Sequence, residues 1–347
     1  SRISALNHYI TVGWKEGKDP NPNFSTKFYL QNNIDVEASG MNPFVHYILH
    51  GKKENRLPAR VSETSINKFS IDHIPIVKAK IAVVIHGYYL DLIEELLNKT
   101  KNIPYRYDLF ISVVNKDGIK IIQDWKKQNA FKGKIIVRKI PNVGRDMFPF
   151  LITFKKELLS YDLLCKIHTK KSLYTGNDNL QWRTTLINGL MGSSKIVASI
   201  FNLFEKHENL ALVYPQSINM PYWAYTWLSN RVSGTFLLNL LGINSSTTGY
   251  IDYPLGSMFW IKPKAIFQLL DGRIKPGYFE AEPIANDGTF VHALERCVAL
   301  LVKQNGYTYA EISTQNDEVW IGHGLRNMSQ YCQHSFVDLT KLIDNVD

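Results

Sequence analysis

The chain has 347 residues, 45% apolar and 20% charged, with three cysteines and a net charge of +9 at neutral pH. This is the composition of a folded globular protein with one large domain or two ordinary ones, and it excludes disordered, collagen-like and disulfide-stapled classes. No run reaches the roughly 18 apolar residues of a membrane span, and no signal-peptide pattern opens the chain. The charge is uneven: residues 1–60 carry 8 Lys/Arg against 5 Asp/Glu, residues 61–180 carry 20 against 12, and residues 181–347 carry 12 against 14. A basic middle third implies an anionic ligand or surface. No standard nucleic-acid-binding signature accompanies it, so no nucleic-acid partner is expected. Cys165, Cys297 and Cys332 are widely spaced, which excludes a CxxC zinc or redox pair and suits a reducing compartment. The chain opens on Ser1 rather than Met and is read as part of a larger multidomain protein.

The first element is a repeat. His8-Tyr9-Ile10-Thr11-Val12-Gly13 recurs as His46-Tyr47-Ile48-Leu49-His50-Gly51, with Pro20 aligned to Pro58. Each copy predicts a short helix closed by Gly and followed by Pro. Phe28-Tyr29-Leu30 and Val36-Glu37 predict further short helices between the copies. Residues 1–60 are therefore a small helical module with a packing or spacer role, and His8 and His46 are hydrogen-bonded core residues. Residues 61–78 are polar and irregular, and read as a linker.

The main domain, 79–347, opens on the β-branched run Ile81–Ile85, as expected of a buried parallel strand. Strands are also predicted at 108–114, 134–140 and 163–167. They alternate with helices at 90–99, 117–129 and 147–159, the last tolerating Pro149 in its first turn. This alternation predicts an α/β fold with a mostly parallel sheet and helices on both faces. A nucleotide-binding half, 79–180, would precede an acceptor-binding half, 181–347. In the second half, strands are predicted at 211–214 and 256–261. A helix is predicted over 289–303, with Asn286 or Asp287 as its N-cap.

In such folds, ligands bind beyond the carboxyl ends of the strands. Each of the first four strands ends in polar groups: His86, then Asn115 and Asp117, then Asn142, Gly144, Arg145 and Asp146, then His168, Lys170 and Lys171. The imidazole and two ammonium groups of the fourth end suit a phosphate or diphosphate. Arg145 could pair with a phosphate bidentately. His86 with the tyrosines after it is placed to meet a nucleobase, and Asp146 to accept from a ribose or base or to cap a helix. No P-loop, GxGxxG, GxSxG or HExxH occurs, and no well-placed acidic pair follows a strand. Fixed cations would then replace a metal ion. Asp287 and Glu282 are the candidate bases for deprotonating a hydroxyl. The aromatics at 222–227, Trp223 among them, could stack on sugar rings.

Asn142-Val143-Gly144-Arg145-Asp146 with Pro149-Phe150, Lys166-Ile167-His168-Thr169-Lys170-Lys171-Ser172, Gly256-Ser257-Met258-Phe259-Trp260, and Asp287-Gly288-Thr289 with His292-Ala293-Leu294-Glu295-Arg296 follow one another in order. Together they resemble the rhamnan synthesis protein F family of bacterial polysaccharide glycosyltransferases. The 38-residue repeat likewise resembles modules that flank glycosyltransferase domains; Asn55 replaces the Gly of its second copy. The resemblance implies a GT-A-like domain that transfers a deoxyhexose, with dTDP-rhamnose as the best-matching donor, to a lipid-linked or oligosaccharide acceptor. It implies no cofactor and no metal, with the His-Thr-Lys-Lys segment at the usual metal-motif position. Asp252, Trp260 and His292 would join Trp223 in acceptor or sugar binding. The expected location is cytoplasmic, with peripheral attachment at the inner face of the membrane as a variant. A non-catalytic glycan- or nucleotide-binding module of a larger synthase is the competing reading.

Overall fold

The computed structural model describes residues 5–21, 24–54, 56, 58, 67–69, 78–171, 180–217, 222–248, 251–315 and 317–321. The described part of residues 1–60 holds short helices. Helix α1 (Ala5–His8) runs into a wide turn at Tyr9–Gly13; α2 (Thr26–Asn32) and α3 (Ile34–Ser39) follow. Helix α4 (Pro43–His46) then repeats the first pattern, with a wide turn at Tyr47–Gly51. Both repeat tyrosines, Tyr9 and Tyr47, are buried. A side chain at Gly51 would put its Cβ 2.0 Å from the Tyr29 hydroxyl, so only glycine fits there. His46 is hydrogen-bonded, its Nδ1 lying 3.0 Å from that hydroxyl. Phe24, Tyr29, Val36 and Tyr47 form a core of their own, separate from the main one.

Among the described residues nine strands form one sheet: β1 (Asn67–Phe69), β2 (Ile81–Gly87), β3 (Tyr107–Val113), β4 (Ile135–Lys139), β5 (Leu163–His168), β6 (Leu210–Pro215), β7 (Phe259–Ile261), β8 (Thr308–Gln315) and β9 (Glu318–Ile321). Their order is β1-β9-β8-β6-β7-β5-β2-β3-β4. Strands β2, β3, β4 and β5 pair in parallel. β7 runs antiparallel between β5 and β6, and the β8–β9 and β1–β9 pairs are antiparallel too. Within the parallel block the chain moves from β2 outward to β3 and β4, then returns to place β5 on the other side of β2. That reversal creates a topological switch point between β2 and β5, where a ligand crevice opens in α/β sheets.

The helices of the sheet are α5 (Ile93–Thr100), α6 (Lys116–Asn129), α7 (Lys155–Leu158), α8 (Leu180–Met191), α9 (Ser194–Lys206), α10 (Arg231–Leu241), α11 (Phe267–Leu270) and α12 (Phe290–Gln304). They cover both faces. On β7, Trp260 packs against Phe201 of α9 while its neighbour Phe259 meets Phe150 on the opposite side. Such alternation follows from the two-residue period of a strand. It explains why β2, β5 and β6 are buried throughout and mostly apolar, with His86, Lys166 and His168 as the polar exceptions on β2 and β5.

Several expectations need correction. Residues 67–69, inside the predicted linker, form the edge strand β1. The stretch 147–159 is no single helix: Pro149 has no N–H to continue an α-helix, and the chain takes a wide turn over Pro149–Thr153 before α7. Only Phe259–Ile261 of the 256–261 run is strand, because Gly256 and Ser257 take left-handed backbone, with φ of 99° and 58°. The N-cap of α12 is Thr289, with neither Asn286 nor Asp287 in that position. Cys165 and Cys297 are buried core residues, and Cys332 lies outside the described residues. Among the described residues, no helix is long and apolar enough to cross a membrane.

Candidate active site

A cavity of about 340 Å³ opens at the β2/β5 switch point. Its walls carry His86, Tyr88 and Tyr89 from the end of β2, and Asn142, Arg145 and Asp146 from the loop after β4. His168, Thr169, Lys170 and Lys171 come from the end of β5, and Glu282 and Asn286 from the loop before α12. The register pairs His86 directly with His168 across the switch point. Three of the four predicted strand ends therefore converge on one ligand-sized space.

The loop after β4 is built on strain. Gly144 and Arg145 both have positive φ, 62° and 49°. A Cβ on Gly144 would lie 2.4 Å from Phe279, so a side chain is sterically refused. This turn points Arg145 across the cavity. Its Nη1 donates to His292 Nε2 at 3.1 Å, and its Nη2 donates to the Ala285 carbonyl at 3.4 Å. Because Nε2 accepts, His292 carries its proton on Nδ1, which donates to Thr289 Oγ1 at 2.8 Å. His292 thus orients Arg145 and does not line the cavity. A bridge between Val143 and Ala281 draws the 280–282 segment against the same loop. Glu282 then lies with Oε1 3.6 Å from Arg145 Nε. Its Oε2 accepts from the Ile284 N–H at 3.0 Å, while Oε1 is buried without a hydrogen bond.

Behind the wall formed by Asp146 and His168 lies a buried polar network. Lys166, on β5, pairs with Asp146 and donates to the carbonyl and hydroxyl of Ser257 at 2.7 and 2.8 Å. Burial alone would raise the Asp146 carboxyl, but His168 and the Lys166 ammonium outweigh it and hold the carboxyl well below its usual range. Burial, reinforced by Lys166, pushes His86 down to about 4 and His168 down to about 3. Both are neutral at pH 7. This corrects the expectation of a cationic imidazole: the cations of the cavity are Arg145, Lys170 and Lys171. Lys170 sits 4.1 Å over the Trp182 ring, and burial lowers its ammonium despite Glu295. Lys171 pairs with Asp91 at 2.5 Å. Thr169 Oγ1 accepts from the N–H groups of Tyr88 and Tyr89, both at 2.9 Å, and so fixes the aromatic rim.

Other predicted residues lie elsewhere. Asn115 caps α6, its side chain accepting from the Asp117 N–H at 3.1 Å, so neither residue lines the cavity. Asp252 accepts from the Tyr309 hydroxyl at 2.6 Å, away from the cavity. Trp260 is fully buried in the core, with Nε1 donating to the Leu190 carbonyl at 3.2 Å. The side chain of Trp223 and the whole of Ser172 lie outside the described residues. Asp287 is engaged on both oxygens, accepting from Ser229 and Asn230 at 2.8 Å each and lying 3.5 Å from Arg296. Burial would raise its carboxyl, but these partners hold it below the ordinary range. Sequence reasoning passed over Lys166, Thr169, Asn286 and Ser257 as site residues. Lys166, Thr169 and Ser257 stand inside the quoted motifs, which was the available signal.

The sequence profile described as "Rhamnan synthesis protein F" matches residues 45–307, well over half of the chain. The chain belongs to the rhamnan synthesis protein F family. Two curated relatives, each named "Uncharacterized protein WxcX" and drawn from two strains of Xanthomonas campestris pv. campestris, are 30% identical over 228 residues. That alignment covers 65% of this family member and 32% of either relative, so the chain spans about a third of their length. Among solved structures, Staphylococcus aureus TarS 1–349 superposes with a TM-score of 0.35 and 11% identity, over 64% of this chain and 55% of its own. The mannosyltransferase Ktr4p of Saccharomyces cerevisiae superposes with a TM-score of 0.31 and 10% identity, over 87% and 78%. Among the described residues of this rhamnan synthesis protein F family member, no group of three or more His, Cys, Asp or Glu side chains is arranged to hold a metal ion.

Proposed function

We propose that the chain is a GT-A-like glycosyltransferase that moves a sugar from a nucleoside-diphosphate donor to a growing bacterial surface polysaccharide. One observation carries the reading: Arg145, Lys170, Lys171 and the carboxylate of Glu282 meet in a single cavity at the switch point of the sheet. In this reading the cations hold the diphosphate, and Tyr88 or Tyr89 stacks on the base. Membership of the rhamnan synthesis protein F family favours L-rhamnose or another deoxyhexose as the sugar, with dTDP-rhamnose as the donor to try first.

The proposed reaction is a single, inverting displacement without a metal ion. The acceptor hydroxyl gives its proton to Glu282 as its oxygen bonds the anomeric carbon. The bond from that carbon to the diphosphate oxygen breaks, and its electron pair leaves with the nucleoside diphosphate. Arg145, Lys170 and Lys171 then stabilise the added negative charge. Glu282 is the better base of the two predicted carboxylates because Oε1 accepts no hydrogen bond and faces only Arg145 at 3.6 Å, whereas Asp287 is tied to Ser229, Asn230 and Arg296. Asp287 instead joins the start of α12 to the start of α10.

Two measurements test this. Lys170→Ala with Lys171→Ala should weaken nucleoside-diphosphate binding by on the order of 100-fold, from two lost charge-assisted contacts. Unchanged affinity in a calorimetric titration refutes the diphosphate role. Glu282→Gln should lower turnover by roughly 10²–10⁴-fold with donor binding kept, while Asp287→Asn should change turnover only a few-fold and lower stability by about 1 kcal/mol. The reverse pattern would move the base to Asp287. Donor binding without turnover for any acceptor would favour the binding-module reading.

A further inference from the structure

Lys166 lies behind the cavity wall, paired with the lining residue Asp146 and with 1% of its surface exposed. An unpaired ammonium in that position is strongly destabilising, so its surroundings must compensate. They do so with three oxygens: a carboxylate oxygen of Asp146, and the carbonyl and hydroxyl of Ser257 at 2.7 and 2.8 Å. Ser257 reaches this position through left-handed backbone, with φ of 58° following 99° at Gly256. The turn is braced by the Gly256 N–H, which donates to Glu295 at 2.7 Å. Strain of this kind persists only where the surroundings over-determine it, and it concentrates at functional sites. A carboxylate, a peptide carbonyl and a hydroxyl are the ligands that hard divalent cations take. Beside them, the buried His168 Nδ1 has no hydrogen-bond partner and lies 3.6 Å from the Asp146 carboxylate.

We propose that the Lys166 ammonium is a resident cation, a positioning residue that fills from within the protein the place a divalent metal ion would take. It fixes the ionised Asp146 carboxylate in the cavity wall and closes the position to metals. The donor-binding consequence rests on the glycosyltransferase reading; the closed cation position does not.

The full chain and its Lys166→Ala variant are compared, with circular dichroism and thermal melting to check the fold. Manganese uptake is followed by electron paramagnetic resonance, and UDP, GDP and dTDP binding by calorimetry. Wild type should take up no Mn²⁺ at this site. Lys166→Ala should bind one Mn²⁺ per chain, and adding Asp146→Asn should abolish it. In EDTA the Lys166→Ala chain should bind nucleoside diphosphate at least tenfold more weakly, with Mn²⁺ recovering most of the loss. A folded Lys166→Ala chain that takes up no Mn²⁺ overturns the proposal, as does Mn²⁺ bound at Asp146 in wild type. Mn²⁺ uptake with unchanged nucleotide affinity overturns the positioning role. Should Lys166→Ala fail to fold, the double variant Lys166→Met with Asp146→Leu removes both buried charges together, a change that proteins often tolerate. Wild-type nucleotide affinity in that folded variant overturns the positioning role. If wild type binds none of the three nucleotides, the donor reading fails, while Mn²⁺ uptake still decides the place of Lys166.

Discussion

His168 illustrates the gap between residue type and residue state. Next to Lys170 and Lys171 in the sequence it looks like a third cation, yet burial and the neighbouring lysines keep it neutral. His86 and His292 are neutral for the same first reason, burial, with folded values of about 4 each. In the unfolded chain each imidazole titrates near the usual value of about 6.5. Above that pH both states are neutral and the folded form loses nothing. Below it the unfolded chain binds protons that the folded chain refuses, so stability falls as pH drops from about 6.5 toward 4. The slope is about 1.4 kcal/mol per pH unit for each such histidine. Asp146 acts in the same direction at lower pH, since its folded carboxyl titrates below its unfolded one. Urea midpoints should therefore be flat from pH 8 to 7 and drop steeply between 6.5 and 5. His168→Gln should flatten that drop, and an equal slope in the variant would contradict the assignment. The sequence showed which polar residues stand at the strand ends, but protonation depends on burial, and burial is set by distant chain.

At the scale of elements, the strands were the most legible features. β2, β3, β5 and β6 are predominantly apolar runs because both of their faces are covered. Polar residues near element ends were ambiguous. Asn115 stands among the polar strand ends where a ligand is expected, and it caps α6. Asn115→Ala should cost about 1 kcal/mol of stability and leave nucleotide affinity unchanged; a loss of affinity would return Asn115 to the site. Capping and ligand binding both call for a short polar side chain after a strand, so residue type alone does not separate them. The turn at Gly256-Ser257 was misread as strand for a related reason. Its flanks are apolar and buried, but its backbone is bent to bring the Ser257 carbonyl to Lys166.

At the scale of the whole molecule, the site depends on strand order. Placing β5 beside β2 brings His168, Lys170 and Lys171 against His86, and the loop before α12 closes the cavity with Glu282. In the proposed reading fixed cations hold the diphosphate, so turnover of a nucleotide-sugar donor should be unaffected by EDTA. Loss of turnover on chelation, restored by manganese, would refute that expectation. The sequence by itself determined the α/β class, the helical repeat, and the polar strand ends from which most of the cavity is made. These are local properties, written in periods of two and 3.6 residues and in the residue that follows each strand. Only the tertiary structure decided which strand ends meet, that Asp287 is spoken for, and that Lys166 is a buried cation held by Asp146 and Ser257. Those contacts join residues 20 and 91 positions apart. No local pattern encodes them, because they exist only once the sheet is assembled and water is excluded from its floor.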